Sequence, residues 1–205
     1  MLYKIGHILR DHLPCLWTVF GRLNSCLFML CYSLRLREEK NVLSRWSSHQ
    51  FRLLPLTESI LQEAEHFFQQ QPKEAFRYFQ PHGFTQKDLR ELARDRSFLA
   101  YFVTTTDECP KWVGYFFMRS FVWGVCYRGY ITDYRWRRRG INQLMNSCAT
   151  ELASTLGLHT FGTISPQNIA SMKSVQKVND IRVIKQLDNG DSFVEYLPKI
   201  NSEQK

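Results

Sequence analysis

No Cys-x-x-Cys pair and no histidine cluster at metal-ligand spacing occurs in this 205-residue sequence, which removes the common zinc and dithiol frameworks. The six cysteines, Cys15, Cys26, Cys31, Cys109, Cys126 and Cys148, are scattered. A chain of this length builds a core without staples, so they read as reduced thiols of a cytosolic protein, with a disulfide pattern as the minor alternative left by their even number. Long apolar runs are missing as well. Within the apolar N-terminal stretch the longest charge-free run, Leu23 to Leu34, falls short of the roughly 20 residues that a bilayer-spanning helix needs. The apolar stretch Leu13 to Leu34 is broken by Arg22 and has no small-residue cleavage pattern after it, which argues against a secretory leader. There is no internal repeat and no low-complexity segment. Acidic residues are in the minority, 19 against 27 Lys and Arg, for a formal charge of +8 and a pI near 9.3. That excess favours an anionic partner, whether nucleic acid, a membrane surface or a phosphorylated small molecule, without choosing among them. With 44% hydrophobic residues, the chain suits one domain with a real core plus some extra sequence.

The extra sequence lies at the N-terminus. Leu2, Gly6, Leu9, Leu13, Leu16, Phe20, Leu23, Leu27, Leu30 and Leu34 recur at alternating spacings of four and three, the stripe of an amphipathic helix. Pro14 kinks or restarts that helix. Its other faces carry Trp17, Val19, Phe28, Met29 and Tyr32 and are themselves apolar. Residues 1 to 50 hold seven Lys or Arg and three acids. Such a helix either lies on an anionic membrane surface or packs on its own domain or a second copy through residues 13–34. The polar stretch Arg35 to Gln50 reads as helix end and linker. The expected division is residues 1–48 as helical extension and linker, 49–198 as the main domain, and 199–205 as a frayed tail. The expected place is the cytoplasm, free or peripheral at the inner membrane surface.

From residue 49 the pattern predicts a strand His49 to Leu56, then a helix N-capped by Thr57 that buries Ile60, Leu61, Ala64, Phe67 and Phe68. A second helix opens at Thr85-Gln-Lys-Asp88, a capping-box pattern with Asp in place of Glu. Phe98 to Thr105 and Trp112 to Phe121 form a hairpin, Val125 to Thr132 a third strand, and Gly140 to Leu156 a helix capped by Gly157. Strand His159 to Ser165, helix Gln167 to Lys177, strand Ile181 to Leu187, a turn at Asp188-Asn-Gly-Asp191 and strand Ser192 to Leu197 complete the domain. The aromatic run Tyr115 to Trp123 reads as sheet packing rather than as a substrate platform.

The chemistry concentrates in Ile131-Thr-Asp-Tyr-Arg-Trp-Arg-Arg-Arg-Gly-Ile-Asn142, where a strand passes through four arginines and a glycine into a helix. Unsatisfied N–H groups at a helix start carry the positive end of the dipole and stabilise a phosphate there. Gly140 lets the backbone approach, and the arginines add charge-assisted donors. By itself such a cluster serves equally as solvated surface or nucleic-acid contact.

This run resembles the central motif of the GNAT superfamily of acyl-CoA-dependent N-acyltransferases, Gln or Arg, two variable residues, Gly, one variable residue, then Gly or Ala. Arg137, Gly140 and Ile141 fit it, and Asn142 departs at the last position, so that the phosphate sits farther off or the amide helps to bind it. Asn168-Ile-Ala-Ser171 is similar to the family's Asn-x-x-Ser helix, with Val178-Asn179-Asp180 in place of its closing turn, where Asn visits positive φ better than most residues. The resemblance spans about residues 51–198. It implies a mixed α/β (α+β) fold, a mostly antiparallel central sheet flanked by helices, with the N-terminal amphipathic helix as an addition. It implies that Arg137, Arg138, Arg139, Gly140, Ile141 and Asn142 hold the pyrophosphate of acetyl-CoA or another short acyl-CoA. It further implies that Tyr130, Ile131 and Thr132 run beside the pantetheine and that Asn168 contacts the cofactor arm.

Val175 occupies the position where many members have a Tyr that protonates the departing thiolate, and valine cannot do so. No catalytic base stands out, and no metal is implied. Asp133 suits capping or balancing the arginines better than proton transfer. His82 lies in a loop placed over the acceptor side, with simple exposure as the alternative. The expected activity is transfer of an acetyl or other short acyl group to a primary amine of a small molecule, an amino sugar carried on a nucleotide among the candidates. Acylation of a protein or peptide amine is the alternative within enzymes. A non-catalytic CoA-binding or interaction module docked through the N-terminal helix is the alternative outside them. Nucleic acid is disfavoured, because basic residues elsewhere form no matching stripe with interleaved aromatics.

Overall fold

A computed structural model of the chain describes residues 14–199, with side chains from Thr18 onward. The stripe positions Leu2, Gly6, Leu9 and Leu13, and residues 200–205 of the tail, lie outside the described residues. In chain order the elements are α1 Pro14–Leu36, α2 Glu39–Trp46, β1 Phe51–Pro55, α3 Leu61–Gln69, α4 Gln86–Arg94, β2 Phe98–Thr105, β3 Trp112–Ser120, β4 Val125–Thr132, α5 Ile141–Leu156, β5 His159–Ile164, α6 Ile169–Val178, β6 Asn179–Gln186 and β7 Ser192–Pro198.

Local chemistry accounts for several of these limits. Thr85 Oγ1 accepts from the Asp88 amide at 3.3 Å while Asp88 Oδ2 accepts from the Thr85 amide at 3.1 Å, the reciprocal capping box that opens α4. Helix α5 stops at Gly157, whose φ of 72° suits a residue without Cβ. Two expectations fail locally. Thr57 caps nothing with its side chain, since a 3-10 turn Glu58–Ile60 precedes α3 and the hydroxyl bonds Ser59 Oγ at 2.9 Å instead. Asn179 has φ −126°, because α6 runs straight into β6 with no left-handed turn between them.

The seven strands follow the order β1-β2-β3-β4-β5-β7-β6, antiparallel except for the parallel pair β4 and β5. One face carries α3 and α4 over Phe67, Phe68, Phe98, Phe102, Tyr115, Phe117 and Ile131. The other carries α1, α2 and α5 over Phe28, Val42, Tyr101, Phe116, Met145 and Leu152. Tyr115, Phe116 and Phe117 are all buried, so the first part of the aromatic run is core, whereas Trp123 at its end is exposed.

The N-terminal segment departs most from its sequence pattern. Leu23, Leu27, Leu30 and Leu34 of the heptad stripe are exposed, and the docked face of α1 is Asn24, Phe28 and Tyr32. Asn24 decides the orientation. Its amide donates to Ser97 Oγ at 2.9 Å and to the Ser120 carbonyl at 3.0 Å, and its oxygen accepts from the Val122 amide at 3.0 Å, which ties α1 to the ends of β2 and β3. Phe28 is fully buried and stacks on Tyr32, and Arg35 donates to the Leu156 carbonyl at 2.6 Å, at the end of α5. A helix apolar all round offers two faces, and satisfied hydrogen bonds chose the one that the leucine spacing did not mark. The stretch 35–50 is likewise more than a linker, since α2 buries Val42 and Leu43 and Arg45 pairs with Glu151 of α5.

Phe28→Ala is therefore expected to lower unfolding free energy by about 3 kcal/mol in urea titrations. Leu30→Ala, at a site 77% exposed, is expected to change it by less than about 0.5 kcal/mol. The reverse ranking would show that α1 docks through its leucine stripe.

Candidate functional site

Strands β4 and β5 are paired only at Val125–His159, Cys126–Thr160 and Tyr127–Phe161. Beyond Tyr127, β4 pairs β3 alone and β5 pairs β7 alone, so the two strands part into a fork whose facing edges have no sheet partner. Tyr130, Ile131 and Thr132 lie on the β4 arm of this fork. Alternation sends Arg128, Tyr130 and Thr132 toward α5, while Ile131 enters the core under α3 and α4.

The arm leads into the arginine loop. Asp133 is fully buried and accepts from the Arg135 amide at 2.8 Å, from the Arg135 guanidinium at 2.9 and 3.1 Å, and from Gln71 Nε2 at 2.9 Å. Burial alone would raise its carboxyl, but these donors outweigh it and hold the group below the usual carboxylate range. Asp133 thus anchors the loop and is not available as a base. Arg137, Arg138 and Arg139 are exposed and form no ion pair among the described residues. Arg139 stacks over Trp136 at 4.5 Å.

The loop backbone is special at two points. Arg138 has φ 63°, the single non-glycine residue with positive φ among those described, and Gly140 has φ 78° immediately before α5. Just before the first turn of α5, at the positive end of its dipole, both residues lie in the left-handed region. A non-glycine residue held there costs of order 1 kcal/mol, strain of the kind found at ligand-binding loops.

The Asn142 side chain is engaged with the neighbouring helix turns. Its Oδ1 accepts from Ser174 Oγ at 2.8 Å and from Asn146 Nδ2 at 2.7 Å, which joins α5 to α6. Asn168 caps α6, accepting from the Ser171 amide at 3.2 Å, so the Asn-x-x-Ser pattern is a side-chain cap that leaves the Asn168 amide nitrogen free for another partner. Val175 is buried against Ile164, Val194 and Tyr196.

Sequence reasoning missed the residues at the crotch. Tyr196 of β7 reaches across β5 to Gly162, the first residue past the last β4–β5 pair, and a Cβ at Gly162 would sit 2.5 Å from the Tyr196 hydroxyl. Arg128, the first β4 residue past the same pair, lies 3.9 Å over the Tyr196 ring. Arg128 is buried and donates to Thr150 Oγ1 at 2.9 Å, while its Nε and Nη2 have no hydrogen-bond partner. Tyr130 Oη, Thr132 Oγ1, Asn146 Oδ1 and Asn179 Nδ2 are also buried and unpartnered. Arginine at an inward position of a buried strand was the available signal. Tyr196, brought over from another strand, left none.

On the α3/α4 side the fork is backed by aromatics. A Cβ at Gly129 would meet the Phe117 ring at 2.7 Å and the Phe79 ring at 3.3 Å. His82 is packed edge-on against Phe68, Phe84, Phe98, Tyr115 and Phe117. Its Nδ1 donates to the Gly83 carbonyl at 2.6 Å, which leaves Nε2 to accept from the Tyr115 hydroxyl at 2.9 Å. A separate cleft of about 420 Å³ lies on the α3 side of the arginine loop, lined by Glu63, His66, Gln70, Lys111, Arg135 and Trp136 among others.

No family model and no curated protein matches the sequence. Solved structures do match. The GNAT domain of S. lividans PAT superposes with a TM-score of 0.59 at 13% identity, over 72% of this chain and 90% of that one. Ribosomal-protein-S5-alanine acetyltransferase from Vibrio fischeri gives 0.56 at 16%, over 76% and 96%. AAC(6')-Ib in complex with ribostamycin and coenzyme A gives 0.55 at 14%, over 73% and 94%. The chain has the GNAT fold, as its two motifs implied.

His82 gives the aromatic side a measurable pH signature. Burial lowers its pKa from 6.5 to about 4, against the opposing pull of the Gly83 carbonyl. Between these values the unfolded chain binds more protons than the folded one, so stability is full above about pH 6.5 and falls as pH drops toward 4. The expected loss between pH 7 and pH 5 is roughly 2 kcal/mol. In urea titrations at the two pH values His82→Phe should show a visibly smaller loss than the parent. Equal losses would place His82 in water.

Proposed function

We propose that the chain is an acyl-CoA-dependent N-acyltransferase of the GNAT superfamily, transferring an acetyl or other short acyl group to a primary amine on a small molecule. The observation that carries this reading is the fork between β4 and β5, which opens onto a left-handed, arginine-flanked loop at the start of α5.

The residues present fit the coenzyme. The loop backbone from Arg138 to Asn142, at the positive end of α5, suits a pyrophosphate, and the unpaired edge of β4 from Gly129 to Thr132 suits the amides of a pantetheine arm. The buried, unpartnered polar atoms of Arg128, Tyr130 and Thr132 need polar company on that same arm. The Asn168 amide nitrogen, which the cap of α6 does not use, is the proposed further contact to the coenzyme. Acyl-CoA, when bound, supplies its acyl group as an activated thioester.

The chain's own residues position and move protons. In the reaction a C–N bond forms, the C–S bond breaks, the amine loses one proton and the departing sulfur gains one. β4 carries no carboxylate, Asp133 is fully engaged and the His82 nitrogens are both occupied, so the amine proton passes to water. Tyr196 takes the donor role that Val175 cannot fill. Burial pushes its phenol up, which keeps the proton on at neutral pH, while Arg128 pulls the other way and favours the phenolate left after donation. The packed aromatic side, with Phe79 and Phe117 closing over Gly129, suits a small acceptor better than a peptide laid in an open groove. A nucleotide-linked amino sugar is the acceptor class to try first. No described helix is long and apolar enough to cross a membrane.

Acetyl-CoA at about a hundred times its dissociation constant should stabilise the protein by about 2.7 kcal/mol, read as a rise in melting temperature. A panel of amines that includes nucleotide-linked amino sugars should then release free thiol. Tyr196→Phe is expected to lower kcat by about 100-fold or more while leaving the acetyl-CoA stabilisation unchanged. Absence of any thermal shift would sink the coenzyme reading. A shift without thiol release from any amine would instead make the protein a CoA-binding module.

A further inference from the structure

Helix α1 is held to the domain by one face and turns the opposite face to solvent. Asn24, Phe28 and Tyr32 point inward, whereas Val19, Leu23, Leu27, Leu30 and Leu34 are 63, 57, 38, 77 and 72% exposed. Their spacing of four, four, three and four places them in one row, about 22 Å long at 1.5 Å per residue. Soluble surfaces rarely leave so continuous a row of leucines uncovered.

The charges on α1 indicate what covers it. From Pro14 to Leu36 the helix carries not one carboxylate, and of its two arginines Arg35 turns inward to the Leu156 carbonyl while Arg22 is exposed beside the leucine row. A second copy docked on this row would bring a face of the same sign against it, with no acid on either helix to compensate. An anionic lipid surface supplies both needs at once, headgroup charge for Arg22 and an acyl boundary for the leucines. A second feature sits beside the helix. Trp123, at the tip of the β3–β4 turn, is 55% exposed, stacks on Phe121 at 4.7 Å and lies 6.1 Å from Phe20 of α1. Exposed tryptophan next to an apolar helix face is the residue that settles at headgroup depth.

We infer that the outward face of α1, with Trp123 at its flank, is a docking surface for an anionic lipid bilayer, on which the chain lies without spanning it. Arg35 links this surface to the candidate site, because the same helix that meets the lipid caps the C-terminal end of α5. The inference is independent of the acyltransferase reading, since it uses no residue of the fork or the arginine loop.

The test is co-sedimentation of the full chain with vesicles of phosphatidylcholine alone and of three parts phosphatidylcholine to one part phosphatidylglycerol. Binding is expected to the anionic vesicles, weaker in high salt. Leu23→Glu combined with Leu30→Glu should abolish it, and Arg22→Glu should weaken it by about fivefold or more. These exposed positions should leave the melting temperature and any acetyl-CoA stabilisation unaltered, so that loss of lipid binding is read on folded protein. Trp123→Phe should remove most of the blue shift in tryptophan emission that accompanies binding. Equal binding to both vesicle types, or none to either, overturns the inference. So does a dimer, seen by light scattering without lipid, that the two glutamates dissociate, since it would make a second copy the occupant.

Discussion

Everything at the candidate site depends on the place where β4 and β5 cease to be a sheet. Up to Tyr127 and Phe161 the two strands are bonded neighbours, and one residue later that pairing ends. Unpaired backbone inside a protein is costly, so a sheet opened at its centre is tolerated when something polar fills the opening. The pairing of each strand on its outer side, β4 with β3 and β5 with β7, keeps the walls rigid while their inner edges stay free. The start of α5 stands at the open end of the β4 arm because the strand runs through Asp133 directly into the loop, and Asp133 is fastened by Gln71 and Arg135. The arginine loop and the unpaired edge of β4 are therefore consecutive parts of one piece of chain.

That piece is braced from behind. α5 lies on the sheet face opposite the aromatic cluster, and its two ends are tied to different elements, Asn142 to Ser174 of α6 and Leu156 to Arg35 of α1. A guanidinium at the last carbonyls of a helix complements the dipole whose positive end faces the loop. The N-terminal helix thus belongs to the support of the site as well as to the periphery of the domain, and α2 adds Arg45 on Glu151 midway along.

Elements defined by local chemistry were legible in the sequence. The capping box at Thr85, the stop at Gly157, the exact limits of β4 and the buried face of α3 all follow from side chains within a few residues of one another. Features set by distant partners were not. The orientation of α1 turned on hydrogen bonds from Asn24 to residues roughly a hundred positions away, and leucine spacing carries no information about them. The same holds at the site. The loop could be read because its arginines and glycine are contiguous, whereas the crotch is assembled from Arg128, Gly162 and Tyr196 on three strands. Alternation along β4 did show that Arg128 shares a face with Tyr130 and Thr132, and a buried arginine was the clue that deserved a partner.

The crotch also has an energetic consequence. A guanidinium withdrawn from water with two of its donors unmatched, beside the unmatched atoms of Tyr130, Thr132, Asn146 and Asn179, is destabilising by itself. The Thr150 bond and the Tyr196 ring offset only part of that cost. A fold optimised for stability alone would place an aliphatic residue at position 128, as it does at Val175 across the cleft. Arginine and phenol are nevertheless kept together here, the guanidinium over the ring at 3.9 Å. The small valine makes room at the helix, glycine at 162 makes room at the strand, and the phenol enters the space from the neighbouring strand with a cation already stacked on its ring.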